Sequence, residues 1–424
     1  MQTILTNARV VDGSGAPALE NATVVINDDT LAYVGASADA PQPATDARVA
    51  DLGGKTVVPG LFNVHVHLAL RLPFSPIRVD QFTVGYRTLL IYRRALEAIN
   101  TGTTSIRCVG EAHFADIDVR NAINKGVFAG PRIFSAGAAM IPTGGHGHNS
   151  MSCREADGVA GFRQLAREQL RAGADLLKIC LTGGIGTEGE KPADKQMTDD
   201  ELSAVVEIAH AAHKIVASHT GGNGPIKDCV RLGVDCIEHG YQFDEEAAQM
   251  MAEAGTYLVP TLCVTQELDY MRGHGVQEWM LSKASAAAAE HRASIVRAIK
   301  AGVTIGTGTD LLPSDPAGGT VATIREVEIL VETGMSELEA LRAATSNSAK
   351  ICGIADSVGT LAEGYQADLL VIDGKPDQKI RDLRNIQVVM KGGDIFRSEL
   401  DGLDAPGLGM PGVELANGTF AKVY

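Results

Sequence analysis

The chain has 424 residues, enough for one large domain with an appendage or for two domains. A net charge of −15 at pH 7 argues against a nucleic-acid-binding surface, and 45% hydrophobic with 21% charged residues is an ordinary globular balance. No apolar run has transmembrane length, and the start, MQTILTNARVVDGSG, lacks a basic stretch followed by an apolar one, so neither a membrane span nor a signal peptide is expected. The cysteines (Cys108, Cys153, Cys180, Cys229, Cys236, Cys263 and Cys352) form no CxxC pair, which fits buried thiols in a reducing, cytoplasmic compartment.

Residues 1–56 read as short strands. TILTNARVVD, ATVVIND and LAYVGAS alternate apolar and polar residues between Gly, Asn and Asp turns. ADLLVID (Ala367–Asp373) and IQVVMKGGDIF (Ile386–Phe396) have the same pattern, with a Lys-Gly-Gly turn signal. The simplest arrangement is a small β-sandwich made from both termini, residues 1–56 and 358–424, with the rest of the chain inserted into it. Residues 401–424, rich in Gly and Pro, read as an extended tail.

The middle, 57–357, alternates short apolar strands with helical stretches. Strands are expected at Gly60–His67, Thr103–Cys108, Arg132–Ala136, Asp175–Leu181, Ile215–His219, Cys236–His239, Tyr257–Val264 and Val303–Thr307. Helical spacing marks Asp80–Ala98 and Gly158–Ala172. Thr198–Ala212 and Ser336–Ala344 each open with a hydroxyl and a glutamate at capping-box spacing. Alternating units of this kind predict an α/β fold, a (β/α)8 TIM barrel with the terminal β-sandwich appended. An open doubly wound sheet would lead with a Gly-rich phosphate loop, which the first unit lacks.

The stretch VVPGLFNVHVHL (Val57–Leu68) ends in two histidines spaced i, i+2, which on a strand point to one face. A pair of imidazoles at the end of a buried strand suits Zn²⁺, Mn²⁺ or Co²⁺; the alternative is two surface histidines. Downstream strands end in comparable residues: Lys178 lies in GADLLKIC, His219 ends KIVASHT, His239 ends GVDCIEHG and Asp310 follows GVTIGTGTD. Carboxyl ends of barrel strands share one face, so His65, His67, Lys178, His219, His239 and Asp310 would converge there. Lys178 has two readings. A lysine buried among apolar residues is disfavoured as a cation, and its neutral amine can add CO₂ to give a carbamate that bridges two divalent ions. Alternatively it is a structural lysine reaching a carboxylate.

These motifs resemble the amidohydrolase superfamily, and within it metal-dependent hydrolases related to Xaa-Pro dipeptidases and to imidazolonepropionases. PGLFNVHVH, GADLLKICLTGG, ASHT, CIEHG and GTGTD stand at that family's metal-ligand positions, and TGGHG at a substrate-side motif. The resemblance runs from the first strand to ADLLVIDG. It implies that His65 and His67 bind one metal and that Lys178, as a CO₂-derived carbamate, bridges two. It also implies that His219 and His239 bind the second metal, and that Asp310 ligates the first and acts as base. His146 would lie near the substrate carbonyl. Three departures stand out: Asn63 where Asp is common, Cys108 after Arg107 where Asp is common, and SHTGG after the fifth strand, which leaves substrate preference open.

The remaining histidines divide by context. His210 and His213 read as helix surface, His274 and His291 as solvated, and His113 and His148 are open between pocket and loop. Arg71, Arg107 and Arg154 are candidates for gripping a carboxylate, with Arg107 taken as a substrate contact. The Gly-rich loop Thr182–Gln196 is long enough to act as a lid.

The leading functional reading is a binuclear hydrolase, with zinc the expected ion. It would cut the amide bond of a dipeptide or N-acyl amino acid by attack of a metal-bridging hydroxide. A mononuclear imidazolonepropionase- or deaminase-like hydrolase of a cyclic substrate is the second reading, and a metal-free scaffold the third. The expected partner is a small amide substrate, with no nucleic acid and no membrane, in a homo-oligomer.

Overall fold

Alternating apolar residues at the start of the chain form β1 (Gln2–Val10), β2 (Leu19–Asn27), β3 (Thr30–Ala36), β4 (Arg48–Asp51) and β5 (Thr56–Pro59). The middle supplies β6 (Leu61–Val66), β7 (Thr103–Cys108), β8 (Arg132–Ser135), β9 (Ala139–Ile141) and β10 (Cys153–Glu155). It continues with β11 (Leu177–Cys180), β12 (Val216–Thr220), β13 (Cys236–His239) and β14 (Tyr257–Val259). The last strands are β15 (Leu369–Ile372), β16 (Ile386–Lys391) and β17 (Asp394–Ser398). The computed structural model describes residues 1–70, 83–310 and 322–405.

Strands from both ends of the chain join in one eight-stranded sheet, ordered β17-β16-β15-β5-β1-β2-β3 with β4 on β1. The seam is the antiparallel pairing of β15 with β5, where Val371 faces Val57. Two-residue alternation decides what each face covers. Leu369 and Val371 enter an apolar cluster with Leu5, Val24 and Met390. Leu370 and Ile372 point the other way, into the main core with Leu330 and Ile386. One face of the terminal strands therefore closes on itself, and the other seats them on the middle of the chain.

The middle strands pair in parallel. β6, β7 and β8 form a three-stranded sheet. A second, six-stranded sheet runs β10-β9-β11-β12-β13-β14. Helices lie between the strands where the apolar spacing put them, including Gly158–Ala172 and Asp199–Ala211. Both expected capping boxes form, Thr198 with Glu201 and Ser336 with Glu339. Caps of this kind contribute about 1 kcal/mol each. The helix expected from Asp80 begins at Val84, with Thr83 as its cap; residues 80–82 lie outside the described residues.

Two expected strands differ. β14 ends at Val259 instead of Val264, because Pro260 has no N–H to pair and Thr261 turns to a left-handed φ of 52°. A short helix, Cys263–Gln266, follows. Val303–Thr307 makes only the single parallel bridge of Ile305 with Leu258. Its backbone nonetheless bonds on both sides: Gly306 N–H reaches Leu258 O at 2.9 Å, and Val64 N–H reaches Thr307 O at 2.8 Å. This segment thus links β14 to β6. Among the described residues, no helix is long and apolar enough to cross a membrane.

Candidate metal centre

Strand β6 carries His65 and His67 on one face, and each imidazole has one nitrogen already engaged. His65 Nδ1 donates to Glu238 Oε2 at 2.6 Å, and His67 Nδ1 donates to the Gly110 carbonyl at 2.8 Å. With Nδ1 engaged on each ring, Nε2 is the nitrogen turned toward the site. Both Nε2 atoms lie 3.2 Å from the same oxygen, Asp310 Oδ1. Asp310 is held there by its backbone, since its N–H bonds His65 O at 2.8 Å. That approach needs Gly308, where an added Cβ would come within 2.6 Å of His65 Cβ.

Parallel register brings the next two histidines alongside. β12 places His219 opposite Glu238 of β13, so His239 follows one residue beyond. His219 Nε2 donates to Gly183 O at 3.1 Å, which leaves Nδ1 free. His239 Nδ1 meets Thr261 Oγ1 at 2.6 Å, which leaves Nε2 free. The His219 and His239 rings are 4.4 Å apart, and His239 is 4.8 Å from the ring of His65. One potential ligand atom each from His65, His239 and Asp310 lie within 4.8 Å of one another. His239 and Asp310 both adopt left-handed backbone, with φ of 69° and 59°. Such conformations cost on the order of 1–3 kcal/mol each in residues with a side chain, and they gather at functional sites.

Electrostatics follow from burial and mutual contact. Burial alone would raise the Asp310 carboxyl, but the charges and bonds of His65 and His67 hold it well below its ordinary range. Burial, reinforced for His219 by nearby His146 and for His239 by His219, pushes both imidazoles well below theirs. Both rings are therefore neutral, the form a metal requires.

Lys178 comes from β11, paired with Ala217 of β12. It is 3% exposed, and its Nζ has no hydrogen-bond partner among the described residues. A buried amine with nothing to bond costs free energy unless something further completes it. A carbamate held by cations, as expected from the sequence, would answer that need. The donor set, four half-satisfied imidazoles with a carboxylate and an orphaned amine, fits two divalent ions.

His146 sits at the edge of this group, stacked on His219 with ring centroids 4.2 Å apart. Gly184 makes room for it: a Cβ there would lie 2.4 Å from His146 Cε1 and 2.7 Å from His219 Nε2. His146 Nδ1 bonds the carboxylate of Glu190. The loop Thr182–Gln196 is tied down. Gly147 N–H bonds Thr187 Oγ1 at 2.9 Å, Lys283 Nζ bonds Thr187 O at 2.7 Å, and Gln196 Oε1 accepts from His146 N at 2.8 Å. Through these bonds the loop lies against the site as one of its walls.

The model of the amidohydrolase family matches residues 56–396, which span every residue of this cage. The chain belongs to the amidohydrolase family. It is 31% identical to ochratoxinase of Aspergillus niger over 98% of this chain and 89% of that protein. A solved Xaa-Pro dipeptidase with methionine bound in its active site matches at a TM-score of 0.83 and 28% identity, covering 94% of this chain and 100% of the other. A prolidase complexed with N-methylphosphonate-L-proline matches at 0.85 and 30%, with the same coverage.

Several residues of this amidohydrolase lie elsewhere than the sequence suggested. Arg107, expected as a substrate contact, lies buried behind the histidines. It is 1% exposed; Nη2 donates to Glu238 Oε1 at 2.6 Å and Nε to Val64 O at 2.5 Å, behind His65, while Nη1 is buried with no partner among the described residues. Glu238, which sequence reasoning passed over, is the hinge of this network. Burial alone would raise its carboxyl, but Arg107 and His65 hold it down to about 2. Its only sequence signal is a charged residue two places after Cys236 in an otherwise apolar strand. His291 is fully buried, not solvated; its Nε2 donates to His239 O at 3.0 Å and Thr265 meets its Nδ1 at 2.9 Å. Burial pushes its imidazole down to about 4, so it is a neutral prop behind His239. His274 is half-buried against Tyr270 O. His113, His148, His210, His213 and Arg154 are exposed, and Arg71 lies outside the described residues. Asn63, at the first departure, bonds Thr309 Oγ1 and Thr323 Oγ1 at 3.0 Å each and so braces the segment that carries Asp310.

Proposed function

We propose that this amidohydrolase uses two divalent ions, zinc in our reading, to cleave the amide bond of a dipeptide or N-acyl amino acid. The observation that carries the reading is the pattern of satisfied and free nitrogens. Each of the four imidazoles spends one nitrogen on protein and keeps the other, while the Lys178 amine is buried with no partner. His65, His67 and Asp310 would hold one ion, His219 and His239 the other, and Lys178 as a carbamate would serve both. When bound, such ions acidify water to near neutral pH and polarise a carbonyl oxygen.

The chain's own residues supply the rest. Asp310, kept ionised by His65 and His67, takes the proton of the attacking water on a carboxylate oxygen and passes it to the leaving nitrogen. An amide needs that proton, because an amine anion is too basic to leave. His146, stacked on His219 at the edge of the cage, is the residue that meets the substrate carbonyl oxygen as charge develops. The names of the Xaa-Pro dipeptidase and the prolidase complex support an amino-acid leaving group.

The architecture belongs to the same proposal. The three- and six-stranded sheets are two arcs of a (β/α)8 barrel over residues 57–357, with the linking segment 303–307 as its last stave. Residues 1–56 and 358–405 make the accessory β-sandwich; the tail expected over 401–424 lies, from residue 406 on, outside the described residues. The enzyme works in the cytoplasm as a homo-oligomer, on a small molecule, without nucleic acid or membrane.

A panel of dipeptides, N-acyl amino acids, lactones and cyclic ureides tests the reading on zinc-loaded protein. Dipeptides or N-acyl amino acids should give the highest kcat/KM. A lactone or ureide preferred by more than about tenfold, roughly 1.4 kcal/mol at the transition state, would overturn it in favour of a cyclic substrate.

A further inference from the structure

Thr261 stands two residues past the end of β14 and holds a left-handed backbone, with φ of 52°. A β-branched residue in that conformation is a rare outlier and costs free energy, whereas glycine would take the same turn freely. What threonine adds is a hydroxyl, and its Oγ1 lies 2.6 Å from His239 Nδ1. Both residues are buried. Four residues on, Thr265 Oγ1 meets His291 Nδ1 at 2.9 Å, and His291 Nε2 donates to the His239 carbonyl at 3.0 Å. Ring and backbone of His239 are thus both held from one short stretch, 261–265.

That stretch is held in its turn. Pro260 fixes the chain that enters it. Thr261 O accepts the Val264 N–H at 3.1 Å. The N–H groups of Leu262 and Cys263 are both taken by Glu326, one on each carboxylate oxygen, at 2.7 and 2.8 Å. Glu326 comes from the helix Ala322–Glu332 and is fully buried. A strained backbone persists only where its surroundings over-determine it, and these bonds do so. We propose that Thr261 is a positioning residue for the second ion. Its hydroxyl sets the plane of the His239 ring so that Nε2 faces the site, and Glu326 holds the turn that delivers it. A hydroxyl can donate or accept, so it orients the ring without dictating the protonation of Nδ1. The inference rests on the reading of His239 as a ligand given above.

The test compares Thr261→Val, Thr261→Gly, Thr261→Ser, Glu326→Ala and the double variant Thr261→Val/Glu326→Ala, with His239→Ala as the reference for a lost ligand. Each protein is titrated with zinc in bicarbonate buffer against a chelating dye, and melting of the metal-free protein is recorded beside it. Thr261→Val keeps the branched shape and the strain but lacks the hydroxyl. Its affinity for one of the two ions should fall about 10–100-fold, the usual loss when the partner behind a ligand is removed. Thr261→Ser keeps the hydroxyl and should bind as the wild type does. Thr261→Gly relieves the backbone and should melt close to the wild type, yet bind zinc as weakly as Thr261→Val. Glu326→Ala should weaken the same ion. In the Thr261→Val background it should cost nothing beyond about twofold, the mark of two residues acting through one contact. If Glu326→Ala does not fold, the three Thr261 variants decide.

A second readout reports geometry directly. The visible absorption of cobalt-loaded protein follows the arrangement of ligands around the ion. It should change in Thr261→Val and return to the wild-type form in Thr261→Ser. Wild-type zinc affinity in Thr261→Val or Thr261→Gly, a loss that Thr261→Ser does not restore, an affinity that merely tracks the melting temperature across the set, or an additive double variant would each overturn the assignment. So would an unchanged cobalt spectrum in Thr261→Val. If the wild-type protein holds one ion or fewer, or His239→Ala keeps both, the binuclear reading falls and this inference with it. If His239→Ala loses an ion and Thr261→Val binds both as the wild type does, this inference alone falls.

Discussion

His65 and Arg107 are joined through one buried carboxylate: Glu238 accepts from His65 Nδ1 at 2.6 Å on one oxygen and from Arg107 at 2.6 Å on the other. The carboxylate is fully buried, so its charge is tolerable only because both partners are present. Glu238→Gln keeps an acceptor for His65 but removes the charge that balances Arg107. The protein should stay folded by circular dichroism while its affinity for zinc falls about 10–100-fold, the usual cost of losing the partner behind a ligand. Competition with a chelating dye measures this. Wild-type affinity in Glu238→Gln would show that Glu238 serves Arg107 and the core alone.

Metal content follows from the donor count. Protein loaded with zinc in the presence of bicarbonate should hold close to two ions per chain by elemental analysis. His65→Ala should lose at least one, because a small coordination shell missing one strong ligand no longer retains its ion. A stoichiometry of one or below in the wild-type protein would remove the binuclear proposal.

Lys178 is testable through its missing partner. Lys178→Ala should lose most activity and at least part of the bound metal. Acetate or propionate should restore some of both by supplying a carboxylate where the carbamate stood. Wild-type protein grown or exchanged in ¹³C-bicarbonate should show a carbamate carbon by NMR. A lysine with no added CO₂ in the metal-loaded protein would return Lys178 to a structural role.

Away from the cage, Glu326 should govern part of the pH dependence of stability. Burial raises its carboxyl to about 7, against bonds from Leu262 N–H and Cys263 N–H at 2.7 and 2.8 Å that favour the anion. An acid raised in the folded state binds a proton there that the unfolded chain has already released. Stability therefore falls as pH rises from about 4.5 to about 7, by on the order of 2–3 kcal/mol for this shift. Urea titrations at pH 5 and pH 7.5 should show that loss in the wild-type protein and a flatter profile in Glu326→Gln. Parallel profiles for the two proteins would assign the slope to other groups.

The sequence by itself determined whatever depends on local period and spacing. Two-residue alternation marked the terminal strands, and their complementary patterns predicted that the two ends of the chain would meet, as β5 and β15 do. Thr198–Glu201 and Ser336–Glu339 spacing located two helix starts, because a capping box is closed within one turn. Histidines at strand ends were legible for the same reason: a strand's direction fixes which face its last residues reach. Only the tertiary structure decided what stands behind those residues. Arg107 has the chemistry of a carboxylate grip, and nothing local says that a carboxylate from a strand 131 residues away has already taken it. His291 lies in a polar-looking helix, yet that helix turns this one position inward against His239. Glu190 looks like one more charge in a surface loop until the fold brings His146 across from 44 residues earlier. Each of these is a pairing between side chains distant in sequence, and hydrogen bonding across such separations leaves no period for a single sequence to display.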